Sequence, residues 1–401
     1  DLILPSQHGF LPGKSCTTNL LAYMNEVTYA LDKGIPYDII MIDFKRAFDL
    51  VPFHHLIRKL EAHGVVGDVL RWLSDWTNDR LQRVVLNGVC SEWSDVLSSV
   101  VQGSVLGPVL FIVYINDLDL VINNPNTKMF KYADDSKFGR PIRCHADAEN
   151  LQAMIDNVYR WSQKWGMSIH PMKTQVIHFG HGNPKYTYTL NGSNISEVKS
   201  ARDLGIIIEE KCSPSDHIST ITRKANGVLS RLSRAFICRN KEVTVGLFKT
   251  FVRPVLESAA PAWCPCERQD VDTIERVQRR ATRNIPWMGE MPYEERLRLC
   301  NLTTLEQRRE RGDLIEVYKM MNGFTRVDPD ELFSFTSQRH NLSTRSAANK
   351  FLVAEKCHLN IRKYFFSNRI VHKWNSLPLD VREANSVNDF KNLYDDWTAV
   401  E

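Results

Sequence analysis

Residues 129–138 read MFKYADDSKF, and this stretch decides the fold. The run from Met129 to Ala133 predicts a β-strand, Asp134 and Asp135 predict a tight turn, and the residues after them predict a returning strand. Two carboxylates are therefore expected at the tip of a β-hairpin. Paired aspartates are also ordinary turn residues, because their side chains hydrogen-bond to nearby backbone groups. The stretch by itself leaves both a chemical and a purely structural role open.

A third aspartate lies upstream, at the end of another predicted strand. Residues 39–42, IIMI, form the short apolar run that is typical of a strand buried on both faces, and Asp43 follows it. If this strand neighbours the hairpin, three carboxylates converge on one edge of a sheet. Mg²⁺ prefers such oxygen ligands, and two ions about 3.5 to 4 Å apart can stabilise the attacking and leaving oxygens of a phosphoryl transfer. Asp43, Asp134 and Asp135 therefore predict a site for two Mg²⁺ ions and nucleotidyl transfer.

The elements around these acids alternate between strands and helices. Ser15 is a predicted helix N-cap, and residues 82–93 predict a hairpin that turns at Asn87-Gly88. Further predicted elements are a buried helix from about Pro108 to Leu120, a helix through Leu151 and Trp161, and a strand at Gln175–Phe179. The order βαββαβ predicts an α+β fold, a split sheet with helices on one face. Beyond a boundary expected between Gly205 and His217, the pattern is mainly helical.

Composition limits the classes of protein. The 401 residues with 43% hydrophobic content are enough for two or three lobes. Nine cysteines without regular spacing argue against a disulfide framework and favour a reducing compartment, and Cys264 and Cys266 lack a zinc-site pattern. The apolar run 105–115 is too short to cross a bilayer, and the opening DLILPSQHGF is unlike a signal peptide. We expect an internal fragment of an intracellular protein of the cytoplasm or nucleus, without a membrane span.

Net charge by itself does not indicate a nucleic-acid partner, because it is only +4. The arrangement of the charges is more informative. Arg276, Arg280 and Arg283 recur at helical spacing with Arg279 beside them, opposite an apolar stripe through residues 274–285. Such a face can follow a phosphate backbone, or it can simply be solvated. Both interpretations stay open from the sequence.

Several motifs follow one another along the chain: IDFKRAFD at 42–49, QGSVLGPVLF at 102–111 and YADD at 132–135. In order and spacing they resemble the first catalytic motif, the nucleotide-pocket motif and the paired-aspartate motif of the reverse transcriptases of non-LTR (LINE-type) retrotransposons. Further segments that resemble this family are HGFLPGKS at 8–15, HPMKT at 170–174, DLGIII at 203–208, RPVLESAAPAW at 253–263 and KWNSLP at 373–378. The likeness covers nearly the whole chain.

The resemblance implies a right-hand polymerase that copies RNA into DNA. It implies partial fingers and a palm in residues 1–210, a mainly helical thumb or connection in 211–325, and the C-terminal tail region of a retrotransposon polyprotein in 326–401. The partners would be an RNA template and a DNA primer, and the substrates would be dNTPs. A catalytically inactive nucleic-acid-binding remnant of a decayed element is the alternative. An intron maturase is a further reading, but the likeness to the downstream segments does not extend to it.

The resemblance also implies roles for single residues. Asp43 and Asp134 would bind both Mg²⁺ ions, with Asp135 assisting and the Phe44 carbonyl as a further ligand. The ring of Phe48 would press on the sugar 2′ carbon and select deoxynucleotides, unless it is a plain core aromatic. The remaining implied residues are Gln102 and Gly103, which would shape the nucleotide pocket or only form a helix-entry loop, and Lys173, which would protonate the pyrophosphate leaving group or only be a solvated charge.

The sequence departs from the family pattern in two places. Ser99, Val100 and Val101 stand where the family usually has Gly-x-Pro before the glutamine, and Ser136 stands where threonine is usual. The first departure is expected to alter the loop before Gln102.

Overall fold

The structure is a computed structural model that describes residues 2–122, 124–238, 240–336 and 351–400. The chain forms two compact units: one contains Asp1–Asn19 and Gly34–Lys199, and the other contains Leu20–Lys33 and Ser200–Glu401. The three domains predicted from the resemblance stay a prediction. Among the described residues, no helix is long and apolar enough to span a bilayer.

The first unit is organised around a mixed sheet of five strands. The strands among the described residues of both units are β1 Tyr37–Ile42, β2 Leu81–Gln82, β3 Val85–Leu86, β4 Val89–Cys90, β5 Ser94–Asp95, β6 Lys128–Tyr132, β7 Asp135–Pro141, β8 Gln175–Phe179, β9 Thr189–Leu190, β10 Ser193–Asn194, β11 Ser196–Glu197, β12 Ser200–Asp203, β13 Ile206–Glu209, β14 Ser334–Phe335 and β15 Leu352–Val353. The sheet has the order β11-β8-β1-β7-β6. The apolar strand β1 therefore lies in its middle, as the run IIMI predicts.

The register of the sheet brings the end of β1 to the β6–β7 hairpin. β1 is antiparallel to β7, with Ile42 opposite Ser136, and β6 is antiparallel to β7, with Tyr132 opposite Asp135. The two turn residues are therefore Ala133 and Asp134, and the predicted turn at Asp134 and Asp135 is wrong by one residue. The turn starts one residue earlier because Ala133 adopts a left-handed conformation with φ 55°.

Helices pack around the sheet and build most of the second unit. They are α1 Cys16–Asp32, α2 Phe53–Ala62, α3 Gly67–Thr77, α4 Leu106–Tyr114, α5 His145–Lys164, α6 Ser215–Ala235, α7 Lys241–Leu247, α8 Arg253–Glu257, α9 Ala260–Trp263, α10 Arg268–Arg283, α11 Tyr293–Cys300 and α12 Leu305–Met321. Shorter or C-terminal helices cover Asn360–Lys363, Phe366–Arg369, Val371–Ser376, Leu379–Arg382 and Val387–Val400. Ser15 precedes α1 as predicted, and its hydroxyl accepts a hydrogen bond from Thr18 N (3.2 Å).

The helix predicted from Pro108 to Leu120 is wrong in its second half. The α-helix α4 ends at Tyr114, and a 3-10 helix, Asn116–Val121, follows it. The 3-10 helix places two carboxylates against buried lysines: Asp117 pairs with Lys59 (2.6 Å) and Asp119 pairs with Lys131 (2.8 Å). Because buried charges need partners, these long-range pairs outweigh the local helical pattern.

The core of the first unit joins the sheet to α2, α4 and α5. It includes Ile40 of β1, Phe111 of α4, Phe138 of β7 and Leu151 of α5, each of which is almost fully buried. Burying one such side chain stabilises the fold by roughly 1.5 to 3 kcal/mol. The strand ends that carry Asp43 and Asp134 are therefore attached to a rigid packed layer.

Candidate active site

Asp43 follows β1 directly and is fixed through its backbone. Its carbonyl oxygen accepts a hydrogen bond from His170 N (2.8 Å), and Lys45 N donates to Ser168 O (2.7 Å). Phe44 lies between them and bridges to Ile169. The Asp43 side chain remains 41% exposed. The local backbone is thus held on the sheet while the carboxylate faces accessible space.

Asp134 lies at the hairpin tip and interacts with Asp43 electrostatically. The pKa of Asp134 is raised, first because burial disfavours its charged form and also because the negative charge of Asp43 opposes it. A hydrogen bond with its own backbone acts in the opposite direction. Because the charge of Asp43 disfavours ionisation of Asp134, a cation bound between them would stabilise the charged form of Asp134.

Asp135 begins β7 and has an exposed side chain. Within the part of the chain that the structure describes, no three His, Cys, Asp or Glu side chains form a group that could hold a metal ion. The pair Asp43 and Asp134 nevertheless fits Mg²⁺, because Mg²⁺ sites commonly use one or two carboxylates and complete the shell with water and substrate phosphates. The ligand role of Asp135 stays a prediction.

Lys173 lies beside Asp43. Its Nζ is 3.6 Å from Asp43 Oδ2, and its side chain is 62% exposed. The His170 carbonyl holds the Lys173 loop, because its oxygen accepts hydrogen bonds from both Lys173 N (3.1 Å) and Thr174 N (3.0 Å). Since His170 N also binds the Asp43 carbonyl, the loop is attached to the residue that its lysine faces. Exposed ion pairs contribute only about 0 to 1 kcal/mol, so stability does not explain this arrangement.

Phe48 is half-buried in a cluster of aromatic rings. Its ring stacks on Phe111 with centroids 4.3 Å apart and an interplanar angle of 15°. It also makes an edge-to-face contact with Phe10, with ring centroids 6.3 Å apart. The Phe44 ring is buried against Trp161 at 6.2 Å. Phe48 therefore has one face in the core and one part that remains accessible, while the ring of Phe44 is structural. The sugar-selecting role of Phe48 and the ligand role of the Phe44 carbonyl stay predictions.

Gln102 and Gly103 lie in an exposed loop before α4. Gly103 has φ 82°, and a Cβ built on it meets no other described atom within 4 Å, so the backbone conformation is what favours glycine there. Gln102 Nε2 donates to Asp49 Oδ1 (2.6 Å). The loop leads into α4, where Ser104 Oγ accepts a hydrogen bond from Gly107 N (2.9 Å). The nucleotide-pocket role of Gln102 and Gly103 stays a prediction.

The segment 99–101, which departs from the family pattern, holds this loop against the motif that contains Asp43. Val100 N donates to Phe48 O (2.9 Å) and Ser99 N donates to Val51 O (3.0 Å). The first two motifs are therefore joined by backbone hydrogen bonds. Ser99 makes its bond with φ 129°, a backbone conformation that favours glycine, so the departure from the family pattern puts a residue with a Cβ where glycine is best suited.

One residue near the site has no signal in the sequence. Gln7 is 1% exposed, and its Oε1 accepts a hydrogen bond from Ala133 N (2.9 Å) in the acidic turn. More than a hundred residues separate the two positions, so neither helical nor strand periodicity connects them.

The chain is similar in sequence to known proteins. The family profile described as "Reverse transcriptase (RNA-dependent DNA polymerase)" matches residues 1–208. The "RNA-directed DNA polymerase from mobile element jockey" of Drosophila funebris is 24% identical over 294 residues, which cover 70% of this chain and 32% of that protein. The "Probable RNA-directed DNA polymerase from transposon BS" of Drosophila melanogaster is 25% identical over 336 residues, which cover 76% of this chain and 35% of that protein. The chain thus spans about a third of the length of these relatives.

Among solved structures, the telomerase of Candida albicans, determined in complex with a fragment of telomeric RNA, aligns with a TM-score of 0.42 and 8% identity. The alignment covers 69% of this chain and 51% of that one. A likeness of this size does not bear on the assignment.

Proposed function

This chain belongs to the reverse transcriptase (RNA-dependent DNA polymerase) family, and we propose that it carries the polymerase site of a non-LTR retrotransposon, which adds dNTPs to a primer 3′-hydroxyl on an RNA template. The family inferred from the motifs is confirmed. The observation that supports the activity is the pairing of Asp43 and Asp134, whose carboxylates interact at the edge of the sheet. Paired carboxylates on a rigid edge are suited to hold the cations of phosphoryl transfer.

The right-hand layout is part of the proposal. The sheet of the first unit, with the helices packed on it, would be the palm, and the helices from Ser215 onward would include the thumb. The order β8-β1-β7-β6 supports this assignment, because it puts the end of β1 beside the β6–β7 turn. A short partial fingers region would be formed by residues before β1.

Asp43 and Asp134 are the residues that would hold Mg²⁺, with Asp135 and the Phe44 carbonyl as further ligands. A bound Mg²⁺ ion supplies positive charge that stabilises the phosphoryl oxygens during transfer. In the reaction, the primer 3′-hydroxyl gives up its proton to solvent water, its oxygen forms a bond to the α-phosphorus, and the bond from this phosphorus to pyrophosphate breaks. The protein holds the site in place, because both carboxylates extend from a packed sheet.

Lys173 would supply the proton that the pyrophosphate leaving group needs. Its Nζ lies 3.6 Å from Asp43 Oδ2, so the ammonium is within the region where the phosphates must bind if Asp43 holds the cation. An ammonium there both attracts the developing negative charge and can donate a proton to it. The attachment of its loop to the Asp43 carbonyl keeps the lysine near the reaction.

Phe48 would select deoxynucleotides. Stacking on Phe111 limits the movement of the Phe48 ring. A ring can exclude a 2′-hydroxyl from the site only if it is held in place. Because the core behind it is close-packed, the ring cannot move away from the sugar without overlapping Phe111.

A basic surface in the second unit supports nucleic acid as the partner. The C-terminal parts of α6 and α10, residues 222–235 and 276–283, contain no Asp or Glu. Their exposed basic side chains are Arg223, Lys224, Arg231, Arg234, Arg276, Arg279, Arg280 and Arg283. Arg280 joins the two helices, because it donates to Asn226 Oδ1 (3.2 Å) and Ser230 Oγ (3.3 Å). A basic face without acidic residues is suited to a phosphate backbone.

Primer extension on an RNA template with Mg²⁺ tests the proposal. The wild-type chain should incorporate dNTPs, Asp134→Asn should lose at least about a hundredfold in rate, as expected for loss of electrostatic stabilisation, and the exposed control Asp75→Asn should keep the rate. Incorporation that survives Asp134→Asn would overturn the site. Absence of extension by the wild type together with salt-dependent RNA binding would favour the inactive remnant.

A further inference from the structure

The segment before α1 lies along the outer strand of the sheet, next to the acidic turn. Gln7 forms a parallel bridge with Lys131 of β6. Lys131 N donates to Ser6 O (2.9 Å), and His8 N donates to Lys131 O (2.8 Å). The segment is thus paired with the strand that leads into the turn, and its side chains reach the turn residues.

The side chain of Gln7 binds the turn itself. Its Oε1 accepts hydrogen bonds from Gly9 N (2.8 Å) and from Ala133 N (2.9 Å). Both partners are N–H donors, so the oxygen of the amide must be the atom that faces them. Ala133 has φ 55°, a left-handed conformation that costs a residue with a Cβ about 1 to 2 kcal/mol. An acceptor for its buried N–H removes the further cost of leaving that group unpaired.

The backbone of Gly9 packs directly against the backbone of the turn, without room for a side chain at residue 9. A Cβ built on Gly9 would lie 2.5 Å from Ala133 N and 3.1 Å from the carbonyl carbon of Tyr132. No residue with a side chain fits there without moving the turn. The turn is therefore held by the β6–β7 ladder on one side and by Gln7 and Gly9 on the other.

We infer that Gln7 is a positioning residue for the metal-binding carboxylates: by holding Ala133, it fixes the direction in which Asp134 presents its carboxylate to Asp43, and so sets the affinity of the pair for a divalent cation. The inference rests on the proposed function, because it assumes that Asp43 and Asp134 bind Mg²⁺. Gln7 does not touch the reacting groups and acts only through the turn.

Other contacts hold the segment when Gln7 is changed. Ser6 Oγ donates to Asp119, which pairs with the buried Lys131 (2.8 Å). His8 Nδ1 contacts Thr18 Oγ1 (2.9 Å). A substitution of Gln7 therefore removes the acceptor for Ala133 N while the backbone pairing with β6 is retained.

The test compares Gln7→Met, which keeps the length of the side chain without its acceptor, with Gln7→Glu, which keeps an acceptor oxygen. Gln152→Met is the matched control, because Gln152 Oε1 also accepts a backbone hydrogen bond, from Thr189 N (2.8 Å), away from the acidic turn. Two quantities are measured on the 401-residue chain without nucleotide: hydrogen exchange in a peptide that contains Ala133, and Mn²⁺ or Mg²⁺ affinity by calorimetry.

Gln7→Met should speed exchange at Ala133 and weaken metal binding by about tenfold, the scale seen when a group that orients a metal ligand is removed. Gln7→Glu should keep the Ala133 amide protected, and Gln152→Met should change neither quantity. In primer extension, the Mg²⁺ concentration for half-maximal rate should rise in Gln7→Met while the dNTP KM stays constant.

Faster exchange at Ala133 with unchanged metal affinity would overturn the inference and leave the proposed function intact. Metal binding that is unaffected by Asp134→Asn would instead overturn the proposed metal site itself. If Gln7→Met does not fold, Gly9→Ala serves as the second variant, because its Cβ displaces the turn while Gln7 remains. Unchanged metal affinity in a folded Gly9→Ala variant would also count against the inference.

Discussion

Asp43 acts on Asp134 across the edge of the sheet, because the pairing of β1 with β7 ends beside the acidic turn. Burial and then the charge of Asp43 raise the pKa of Asp134. When folding raises the pKa of a carboxyl group, the associated stability is lost as the pH rises through the folded-state pKa. Above the folded-state pKa of Asp134, its charged form therefore destabilises the metal-free fold, and a bound cation would relieve the repulsion from Asp43.

Asp134→Asn should stabilise the metal-free protein at pH 7 by up to about 1 kcal/mol, the scale of a single partly exposed charge interaction. With Mg²⁺ at about a hundred times its Kd, the wild type should gain about 2.7 kcal/mol and the variant much less. Urea denaturation with and without Mg²⁺ measures both effects, with Asp75→Asn as the control. An equal gain from Mg²⁺ in Asp134→Asn would show that Asp134 is not a ligand.

Lys173→Gln should lower the rate of nucleotide addition by about a hundredfold, the size of a general-acid contribution. Its unfolding free energy should change by less than about 0.5 kcal/mol, because the side chain is 62% exposed. Lys185→Gln is the matched control, since Lys185 also forms an exposed ion pair, with Glu197 at 2.9 Å. Single-turnover primer extension compares the rates of Lys173→Gln and Lys185→Gln. Equal rates for both variants would mean that Lys173 is only a solvated charge.

Phe48→Ala should let the enzyme accept ribonucleotides. Removing the ring opens the space at the sugar 2′ position, so the preference for dNTPs over NTPs should fall by about ten- to hundredfold, the discrimination that a steric contact provides. Competition between dATP and ATP in primer extension measures this ratio. Phe10→Ala is the control, because it removes the edge contact but leaves the stacked pair Phe48 and Phe111. If Phe48→Ala keeps the wild-type preference for dNTPs over NTPs, Phe48 does not select the sugar.

His8 should make the first unit sensitive to acid. Burial, followed by the positive charges of Lys14 and Lys137, lowers the pKa of His8 from 6.5 to about 3. Between pH 6 and 4, His8 is therefore protonated in the unfolded chain and neutral in the folded chain. The free energy of unfolding falls by about 1.4 kcal/mol for each unit by which the pH is lowered in this range. Denaturation at several pH values between 6 and 4 should show that His8→Gln reduces this slope by the contribution of one proton. The same substitution at the exposed His181 should leave the slope unchanged. An unchanged slope in His8→Gln would contradict a buried neutral His8.

Gly139→Ala should destabilise the sheet strongly. A Cβ on Gly139, in the middle of β7, would lie 2.2 Å from Asp38 O and 2.6 Å from Ile39 Cδ1, and overpacking of this kind costs about 1 to 3 kcal/mol or more. Gly227→Ala is the contrasting control, because no described atom lies within 4 Å of its Cβ position in α6 and alanine favours a helix by about 0.5 to 1 kcal/mol. Thermal denaturation of the two variants should show opposite shifts; a folded Gly139→Ala of wild-type stability would contradict the close approach of β7 to β1.

Much of the candidate site follows from local patterns in the sequence. The run IIMI predicts a buried strand that ends at Asp43, and that strand is observed as the centre of the sheet. The Asn87-Gly88 pair predicts a two-residue turn, and these residues adopt the positive φ values that such a turn needs, 50° and 82°. These features could be predicted because strand burial and turn conformation depend on neighbouring residues.

Other features of the site depend on residues far apart in the sequence. The turn contains Ala133 rather than Asp135, and its conformation coincides with the hydrogen bond to Gln7. The helix predicted to Leu120 gives way to a 3-10 segment, whose Asp117 and Asp119 meet buried lysines. Periodicity does not report such contacts, because they require partners that only the folded chain brings together.

The sequence by itself determined the family, the strand that ends at Asp43, and the acidic hairpin, because motif order and two-residue periodicity are local properties of the chain. Only the tertiary structure decided that Asp43 lies beside Lys173 and interacts with Asp134, and that the Gln7 side chain bonds to the turn that contains Asp134. The physical reason is that strand register and the pairing of buried polar groups are set by contacts between distant segments, whose free energy exists only after the sheet has formed.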